Sequence, residues 1–380
     1  MINVKVLILC DHYPLSPRVI KMRNSIIKLN PDAVVKVLAW NRANRMILED
    51  YVLSIDQDLG YGNKLKKAFN LFKYAKVTKD IISDFRPNYV HAIDLEMFLI
   101  ASLLTNRDKI IYEVYDIKFF SNKILNFIRE KIESYFIRKK CNKIIYASPF
   151  FDLYYSRINI KSAIKITLNN KPNRPVLKNL NKVDSIPRKY EQMTRDKIVI
   201  GFIGTVRYKE LLLNLLIVSL KFKNIVILIA GGGPDYNYVF NYVKNNKISA
   251  NVIFTGVFTN KEIKILYDMC DYIWASYPYK DVNVKYAISN KFFESTVFRK
   301  PVIVSKNTIL GDIVEDSQIG YTVDPYSIES IESLVQEIIK DKDKDKDKDK
   351  DKDVRKNEPD ILKGLYWEDE EVSLNKLYIN

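Results

Sequence analysis

Short apolar, β-branched runs alternate with amphipathic segments of helical length along the first half of the chain. This pattern predicts strands at Val4–Leu9, Val34–Trp40, Tyr89–Ile93, Ile110–Val114, Ile144–Ala147 and Ile164–Leu168. It predicts helices over residues 17–29, 64–84, 95–104, 120–139 and 150–157. Ser16 is the expected N-cap of the first helix, with Pro17 at its first position. Such alternation is typical of a doubly wound parallel sheet.

The same alternation restarts in the second half. It predicts strands at Ile198–Ile203, Ile225–Ala230, Val252–Thr255, Tyr272–Ala275, Val302–Val304 and Gly320–Val323. Helices are expected near residues 209–222, 235–247, 260–270, 289–298 and 327–340. Between the halves, residues 169–196 show no convincing period and contain three prolines. The sequence therefore predicts an α/β protein with two Rossmann-like, doubly wound parallel-sheet domains.

These patterns define the expected domain boundaries. We expect an N-terminal domain over residues 1–170, a linker over 171–196 and a C-terminal domain over 197–340. Lys-Asp pairs fill the low-complexity segment 341–353 and cannot bury a core, so this segment is either an exposed helix extension or a disordered spacer. Apolar residues return in the tail 354–380, which is expected to dock on the domains.

Composition excludes several classes of protein. With 380 residues, 47% of them hydrophobic, the chain can bury a sizeable core, which excludes disorder as its main state. No apolar run approaches the roughly 18 to 20 residues that span a bilayer. The three cysteines are too widely separated for a disulfide scaffold or a thiolate metal site. The first residues resemble a strand rather than a signal peptide, so we expect a cytoplasmic protein.

The excess of positive over negative charge is confined to the first half of the chain. The net charge is +17 over residues 1–200 and −2 over residues 201–380. An asymmetry of this kind indicates a polyanionic partner, either nucleic acid or an anionic membrane surface. Within residues 120–140, apolar residues recur at helical spacing among many lysines and arginines. This segment is either an interfacial amphipathic helix or a core-packed helix with a solvated basic face.

The segment from Ile288 to Ser305 offers the most informative candidate site. Ser289 can cap a helix whose first turn presents backbone N–H groups and the positive end of the helix dipole, a suitable seat for a diphosphate. Lys291 can add positive charge beside the phosphates. Glu294 lies further along the same helix and is placed to accept hydrogen bonds from a ribose diol.

Two further loops follow predicted strands of the second half. After Ile198–Ile203 comes Gly204, where the backbone can approach a ligand, and then Arg207 and Lys209. Arg207 can bind two phosphate oxygens, while Lys209 supplies a point charge. The other loop, Ala230-Gly-Gly-Gly-Pro-Asp235, contains Gly232 but matches neither the dinucleotide-binding fingerprint nor the P-loop.

In this order and spacing, the segments resemble glycosyltransferase family 4 of the GT-B fold, in which two such domains face a cleft. The resemblance runs through Gly201-Phe-Ile-Gly-Thr-Val-Arg207, Ala230-Gly-Gly-Gly-Pro-Asp235, Val252-Ile-Phe-Thr-Gly-Val257, Asn290-Lys-Phe-Phe-Glu294 and Leu365-Tyr-Trp-Glu368. It implies sugar transfer from a nucleotide-sugar with retention of configuration, without an obligatory metal and with no cofactor beyond the nucleotide-sugar co-substrate.

The resemblance also implies roles for individual residues of the second domain. Arg207 and Lys209 would neutralise the leaving diphosphate and so act in catalysis, and Glu294 would hold the ribose. The implied donor-binding residues are Gly204, Arg207, Lys209, Gly232, Ser289, Asn290, Lys291 and Glu294. The family often has a second glutamate that seven intervening residues separate from this one, and Tyr286 occupies that position here.

In the first domain, two short segments resemble family motifs, Tyr89-Val-His-Ala-Ile-Asp94 and Tyr112-Glu-Val-Tyr-Asp116. His91 and Asp94 of Tyr89-Val-His-Ala-Ile-Asp94 resemble the family's first histidine and its acid, which implies a catalytic role for both. His91 either lines the cleft or is a structural histidine at the end of its strand. On the acceptor side, the implied residues are Asp116 and two residues in or after the loop that follows the first strand, His12 and Arg18.

Together these features predict a glycosyltransferase that acts at the cytoplasmic face of a membrane in surface polysaccharide or glycolipid assembly. Its expected partners are a nucleotide-sugar donor, a glycan or lipid-linked acceptor and an anionic membrane contacted by the basic N-terminal half, but no nucleic acid. Two rival hypotheses stay open. The charge asymmetry is compatible with a basic nucleic-acid-binding protein, and a GT-B scaffold without catalytic activity could bind a nucleotide-sugar or a partner enzyme.

Overall fold

The chain folds into two compact α/β units. The computed structural model describes residues 4–41, 44–56, 64–158, 163–174, 188–246, 248–259, 261–346 and 360–378. The first unit comprises Met1–Asn170 together with Glu370–Asn380, and the second comprises Lys171–Asp369. The end of the chain thus belongs to the same unit as its beginning.

A seven-stranded parallel sheet forms the centre of the first unit. Its strands are β1 (Lys5–Cys10), β2 (Val34–Asn41), β3 (Val52–Asp56), β4 (Tyr89–Ile93), β5 (Ile110–Val114), β6 (Lys143–Tyr146) and β7 (Ile164–Thr167), in the order β3-β2-β1-β4-β5-β6-β7. The connecting helices are α1 (Pro17–Leu29), α2 (Lys64–Phe85), α3 (Asp94–Leu104), α4 (Lys123–Lys140) and α5 (Phe151–Tyr155). As predicted, Ser16 caps α1 by accepting a hydrogen bond from the backbone N–H of Val19.

The edge strand β3 was not predicted from the sequence. It pairs in parallel with β2, with Val52 opposite Val37. Only Val52 and Ile55 of this strand are buried, and polar Ser54 and Asp56 interrupt the apolar pattern. A strand this short at the edge of a sheet buries too few side chains to produce a clear periodic signal.

The second unit is built around a six-stranded parallel sheet. Its strands are β8 (Ile198–Ile203), β9 (Ile225–Ala230), β10 (Val252–Gly256), β11 (Tyr272–Ala275), β12 (Val302–Ser305) and β13 (Gly320–Val323), in the order β10-β9-β8-β11-β12-β13. Its helices are α6 (Arg188–Thr194), α7 (Lys209–Ser219), α8 (Tyr236–Asn245), α9 (Ile263–Asp268), α10 (Val282–Tyr286), α11 (Asn290–Val297), α12 (Ile309–Ser317) and α13 (Ile328–Lys346), and the unit contains all of α14 (Trp367–Glu370) except Glu370. All six strands confirm the predicted pattern, whereas α6, α10 and α12 were not predicted.

The central strand β8 contributes side chains to the hydrophobic cores on both faces of the sheet. Ile198, Ile200 and Phe202 pack on one face of the sheet. Val199 and Ile203 pack on the opposite face. Because successive side chains of a strand point to opposite faces, a strand buried on both sides has to be apolar throughout. That requirement explains why the strands of this unit were recognised from sequence.

Helix α13 is longer than predicted, and the C-terminal tail makes specific contacts with the first unit. Helix α13 continues to Lys346, so the described start of the Lys-Asp segment is helical, while residues 347–353 lie outside the described residues. In the tail, the Glu370 carboxylate accepts hydrogen bonds from the backbone N–H and the side-chain amide of Asn169, at 2.6 and 2.8 Å. Glu371 accepts from Ser25 and pairs with Lys28, both on α1. These contacts fasten the tail, including α15 (Asn375–Tyr378), to the first unit.

The strand orders identify where each unit is suited to hold a ligand. Both sheets begin with the order typical of the Rossmann fold, which reverses direction between β1 and β4 in the first unit and between β8 and β11 in the second. In open parallel sheets, ligands bind beyond the carboxyl ends of the strands at such a reversal. The segments that follow β1, β4, β8 and β11 are therefore the relevant ones.

Candidate functional site

In the second unit, the loops that follow β8 and β9 pack backbone against backbone. The N–H of Gly204 donates to the carbonyl of Ala230, and the N–H of Val206 donates to the carbonyl of Gly232, both at 2.8 Å. A Cβ atom on Gly231 would lie 2.0 Å from the carbonyl oxygen of Gly204. One on Gly233 would lie 2.4 Å from that of Val206. Glycine is therefore required at both of these flanking positions, each of which has a positive φ.

Gly232, the predicted donor-binding glycine, has a different environment from its neighbours. A Cβ atom here would meet only the Val257 side chain, at 3.1 Å. Its carbonyl oxygen holds the loop after β8 through the hydrogen bond from Val206. In this turn the stringent steric requirement thus falls on Gly231 and Gly233, which sequence reasoning did not single out.

Hydrogen bonds also fix the start of α7, where the two predicted phosphate-binding cations, Arg207 and Lys209, lie. The N–H of Lys209 donates to the Asp235 carboxylate at 3.1 Å, and the N–H of Asp235 donates to the carbonyl of Val206 at 3.1 Å. Arg207 is exposed, with its guanidinium 5.1 Å from the centre of the Tyr208 ring. The ammonium of Lys209 lies 4.4 Å from the centre of the Tyr238 ring on α8. The two predicted phosphate-binding cations thus contact different rings.

The start of α11 brings a third cation back to the loop after β8. Ser289 caps this helix as predicted, because its side chain accepts a hydrogen bond from the backbone N–H of Lys291 at 3.3 Å, and Asn290 is the first helical residue. The Lys291 side chain is buried and reaches Gly204, where a Cβ atom would lie 2.6 Å from its Nζ. Gly204 therefore leaves the space that the Lys291 ammonium occupies.

Tyr277, which follows β11, joins these groups and was missed by sequence reasoning. The Lys291 ammonium lies 5.7 Å from the centre of its ring, and Lys291 and Ser289 form hydrogen bonds with its side chain. Burial alone would raise the pKa of Tyr277. The nearby charge of Lys291, these hydrogen bonds and the charge of Arg207 outweigh burial and lower it. The lowered pKa shows that the local field favours negative charge.

Gly204, Arg207, Tyr277, Ser289 and Lys291 thus gather beyond the carboxyl ends of β8 and β11. Within the described residues, no carboxylate forms an ion pair with Arg207 or Lys291. The site therefore combines two cations with the amino end of an eight-residue helix, and no carboxylate among the described residues neutralises the cations. Such an environment suits an anion with several oxygens. This arrangement is the candidate site.

Glu294 lies on α11 as predicted and is already engaged. Its carboxylate accepts a hydrogen bond from the hydroxyl of Tyr267 at 2.7 Å. Tyr267 is fully buried and stacks on Phe298, so its position is fixed. Burial and the Glu294 charge both raise the pKa of Tyr267, so this phenol remains a hydrogen-bond donor. The interaction fixes the direction in which the carboxylate points.

In the first unit, Asp94 organises the segments after β4 and β5. Its carboxylate accepts hydrogen bonds from the backbone N–H groups of Tyr115 and Asp116, at 3.0 and 3.3 Å, and pairs with Lys118 at 3.1 Å. Burial raises the pKa of Asp94 to about 6, although the charge of Lys118 opposes this shift. Its φ of +61° is uncommon for a residue other than glycine. Asp116 itself is exposed.

His12 remains accessible, whereas His91 and Arg18 do not. His12 is partly exposed and interacts with Asp11 at 2.8 Å. His91 is completely buried: Nε2 lies 2.7 Å from a Glu113 oxygen and Nδ1 is hydrogen-bonded to the Tyr378 hydroxyl. Arg18 is buried as well and donates to the other Glu113 oxygen at 2.9 and 2.7 Å.

This geometry buries both His91, for which a catalytic role was predicted, and Arg18, which was predicted on the acceptor side. The Arg18 and His91 charges and their hydrogen bonds lower the pKa of Glu113 although its burial acts in the opposite direction, so the carboxylate is a pure acceptor. Nε2 of His91 faces the Glu113 carboxylate and Nδ1 faces the Tyr378 hydroxyl, so both ring nitrogens have a partner. We interpret these two residues as parts of a buried structural network rather than as groups that meet a ligand.

Comparisons with known proteins agree with this architecture. Residues 186–357 match the family model described as glycosyl transferases group 1. The sucrose-phosphate synthase from Thermosynechococcus elongatus is similar in structure, with a TM-score of 0.72, 14% identity, and coverage of 99% of this chain and 98% of that chain. Anabaena HepE, solved with UDP and glucose, has a TM-score of 0.69, 14% identity, and coverage of 98% of this chain and 99% of that chain.

A third similar structure is a glycosyltransferase from Rickettsia africae, with a TM-score of 0.59, 15% identity, and coverage of 99% of this chain and 94% of that chain. A search of curated proteins finds no match. The structural neighbours confirm the predicted fold class, and the family match confirms the predicted resemblance. Residues 186–357 thus match the group 1 glycosyltransferase model, and the chain has a GT-B fold.

Proposed function

We propose that this protein is a retaining glycosyltransferase that moves a sugar from a nucleoside diphosphate to an acceptor. The observation that carries the proposal is that Lys291 reaches Gly204 while the charges of Lys291 and Arg207 both act on Tyr277, within the segment that matches the group 1 glycosyltransferase model. The similar protein Anabaena HepE has also been solved in complex with UDP-glucose, which supports a donor of this chemical class.

In this proposal, the second unit stabilises the charge that develops on the leaving diphosphate. Arg207 binds two phosphate oxygens, Lys291 supplies a fixed ammonium, and the first N–H groups of α11 complete the shell. Lys209 contributes its charge from the neighbouring position at the start of α7. Glu294, oriented by Tyr267, accepts hydrogen bonds from the ribose hydroxyls. No metal and no further cofactor are part of this proposal.

The first unit is proposed to bind the acceptor, with Asp94, Asp116 and His12 facing it. A carboxyl group whose pKa is about 6 can take up a proton near neutral pH, which suits Asp94 as a general base for the acceptor hydroxyl. The proposed acceptor is a glycan or a lipid-linked sugar in cell-surface polysaccharide or glycolipid assembly. The proposed location is the cytoplasm, with peripheral contact to an anionic membrane.

The donor site can be tested with a thermal-shift screen of nucleoside diphosphates. Specific binding of the product raises the midpoint of unfolding even when the acceptor is unknown. We expect one diphosphate to stabilise the full chain and Arg207→Ala to weaken this stabilisation. Arg195→Ala, a change at an exposed arginine of the same unit, is the control and should have no effect. Equal stabilisation of all three proteins would contradict the proposed site.

Turnover of the matching nucleotide-sugar then tests the reaction itself. Loss of one donor that stabilises a developing charge typically lowers turnover by about 100- to 1,000-fold, so Arg207→Ala should lose about that much. Glu294→Gln should mainly weaken binding. Nucleotide binding without transfer to any acceptor would instead favour the scaffold hypothesis.

A further inference from the structure

Helix α4 exposes most of its large apolar side chains and buries an arginine and a glutamate. The residues of α4 that are buried against the first unit are Arg129, Glu133 and Ile137. Large apolar side chains on the outward side are exposed, with Ile124 71% and Phe127 58% accessible. The exposed apolar residues of α4 are Ile124, Leu125, Phe127, Ile128, Ile132 and Tyr135. This distribution is the reverse of that in an ordinary surface helix.

The inward polar side chains have a complete set of partners. Glu133 accepts hydrogen bonds from the hydroxyls of Tyr112 and Tyr155, at 2.9 and 2.7 Å, and pairs with Arg129. Arg129 also donates to the hydroxyl of Tyr154 at 2.9 Å. Turning the helix to bury its apolar side would break this network and leave buried tyrosine hydroxyls without their acceptor. The outward apolar surface is therefore built into the fold.

The exposed apolar residues form one continuous surface. Ile124, Ile128 and Ile132 follow one another at the four-residue spacing that stacks side chains along one side of a helix. Phe119 and Phe120, directly before the helix, are also about half exposed. Single exposed apolar residues are ordinary, but a contiguous apolar surface of this kind marks an interaction site. We call Phe119, Phe120 and the six apolar α4 residues the α4 surface.

Positive charge borders the α4 surface. Among the helix residues, Lys123, Lys131, Arg138 and Lys139 are exposed. The only acidic residues of the helix, Glu130 and Glu133, are both bonded to Arg129. Lys131 lies over the Phe127 ring at 5.1 Å, so its charge stands directly beside the apolar area. The surface thus combines apolar and cationic groups without a free acidic partner of its own among the described residues of α4.

This combination favours an anionic lipid bilayer over other partners. A second copy in a two-fold contact would bring these cations against one another. Nucleic acid would use the cations but not the isoleucines, because bases stack on aromatic rings. A bilayer uses both, since apolar side chains enter the acyl boundary while lysines and arginines meet anionic headgroups. None of the described helices is long and apolar enough to span a bilayer, so contact would be confined to one leaflet.

We propose that the α4 surface lies in the interface of an anionic membrane, with α4 parallel to the bilayer plane. This inference names the surface for the membrane contact of the proposed function and rests on that contact, but not on the transfer reaction. An acceptor linked to a membrane lipid would then lie on the same leaflet as the enzyme. The chemistry recognised is an anionic phospholipid headgroup together with its acyl chains.

Vesicle sedimentation with the full chain tests the proposal. The probes are vesicles of phosphatidylcholine alone and vesicles that contain phosphatidylglycerol. We expect binding to the anionic vesicles only, and at least tenfold weaker binding by the double variant Ile124→Ser/Ile128→Ser. The matched control is Leu103→Ser, which removes an exposed apolar side chain from α3 and should bind like the unchanged protein. The double variant changes exposed positions, so its fold should be retained.

A charge variant tests the electrostatic half of the inference. Each lysine near an anionic surface contributes about fivefold in affinity, so Lys131→Gln/Lys139→Gln should lose roughly 25-fold, and salt should weaken the binding of the unchanged protein. Equal binding by all variants, or equal binding to neutral vesicles, would overturn the proposal. A dimer that Ile124→Ser/Ile128→Ser dissociates would overturn it in favour of a second copy, and salt-sensitive DNA binding lost in the charge variant would overturn it in favour of nucleic acid.

Nucleotide binding, measured on the same samples, separates this proposal from the proposed function. Loss of vesicle binding with unchanged stabilisation by the nucleoside diphosphate supports the α4 surface independently of the donor site. Vesicle binding that persists in all variants, while the diphosphate still stabilises the protein, overturns the α4 surface alone. Vesicle binding that behaves as expected without any nucleotide effect supports the α4 surface and contradicts the donor site.

Discussion

The two units place polar clusters at equivalent places of their sheets but balance the charges differently. In the first unit, Arg18 and His91 surround Glu113, and all three side chains are almost completely inaccessible. In the second unit, Lys291 reaches Gly204, and the charges of Lys291 and Arg207 both act on Tyr277, without an ion-paired carboxylate among the described residues. Position in the fold is therefore not sufficient to identify a site. We call Arg18, His91 and Glu113 the closed cluster, because the Glu113 carboxylate already neutralises its positive charge. We call Arg207, Tyr277 and Lys291 the open cluster, because the absence of such a carboxylate among the described residues leaves its cations able to bind an anion.

The largest expected effect comes from breaking the closed cluster. Arg18→Leu would leave the buried Glu113 carboxylate without its main partner, and loss of one member of a buried pair typically costs about 3 to 5 kcal/mol of unfolding free energy. Urea denaturation measures this change. Arg157→Leu, at an exposed arginine of the same unit, is the control and should cost little. Similar losses in the two variants would argue against a buried charge network.

A smaller effect is expected from the glycine turn that supports the open cluster. Gly231→Ala forces a Cβ atom against the carbonyl of Gly204 at a positive φ, and such strain costs about 1 to 3 kcal/mol. Gly232→Ala meets only the Val257 side chain and should cost less. Thermal unfolding of both variants gives the comparison. If Gly232→Ala were the more damaging change, the assignment of the close approach would be wrong.

Lowering the pH should reduce the unfolding free energy of the protein through protonation of the buried Glu113 carboxylate. The pKa of Glu113 is lowered in the folded state, so its stabilising effect is complete above the ordinary glutamate pKa of about 4.3 and is lost as the pH falls through the lower folded-state value. We expect the unfolding free energy of the unchanged protein to fall over this range. Glu113→Gln should be less stable at neutral pH and should show a smaller further loss in acid. Parallel pH curves for the two proteins would contradict the role of this carboxylate.

The smallest expected effect concerns Tyr277 in the open cluster. Its pKa is lowered, so raising the pH forms the phenolate earlier than for an ordinary tyrosine, and this anion then competes with a diphosphate for Lys291. Diphosphate affinity should therefore decline by a few-fold with rising pH in the unchanged protein. Tyr277→Phe should show less of this decline. Calorimetric titration at several alkaline pH values measures the difference, and identical declines would remove Tyr277 from the site.

Sequence predicted the elements of the fold better than the accessibility of the candidate residues. Strands such as β8 are apolar on both faces, and Ser289 caps α11 through a local hydrogen bond, so both follow from short stretches of sequence. The buried setting of His91 could not be derived from the sequence, because its partners Glu113 and Tyr378 are 22 and 287 positions away. Contacts at that separation depend on strand order and on the course of the tail.

Tyr277 and α4 show two further limits of sequence reasoning. No motif distinguishes a tyrosine that hydrogen-bonds with a lysine from one that fills a core, so Tyr277 was found only through its contacts with Lys291. For α4, the helical period revealed an apolar side and a polar side, but not which side faces the sheet. That depends on the Tyr112, Tyr154 and Tyr155 hydroxyls, which give Arg129 and Glu133 their partners.

The affinity for a nucleoside diphosphate, compared with that for its parent nucleoside, tests the central claim most directly. We define the diphosphate contribution as the ratio of these two affinities, measured by calorimetric titration of the full chain. In the unchanged protein this ratio should be large, and in Arg207→Ala/Lys291→Ala it should fall at least tenfold while nucleoside affinity stays the same. An unchanged ratio in the double variant would contradict an anion site formed by these two cations.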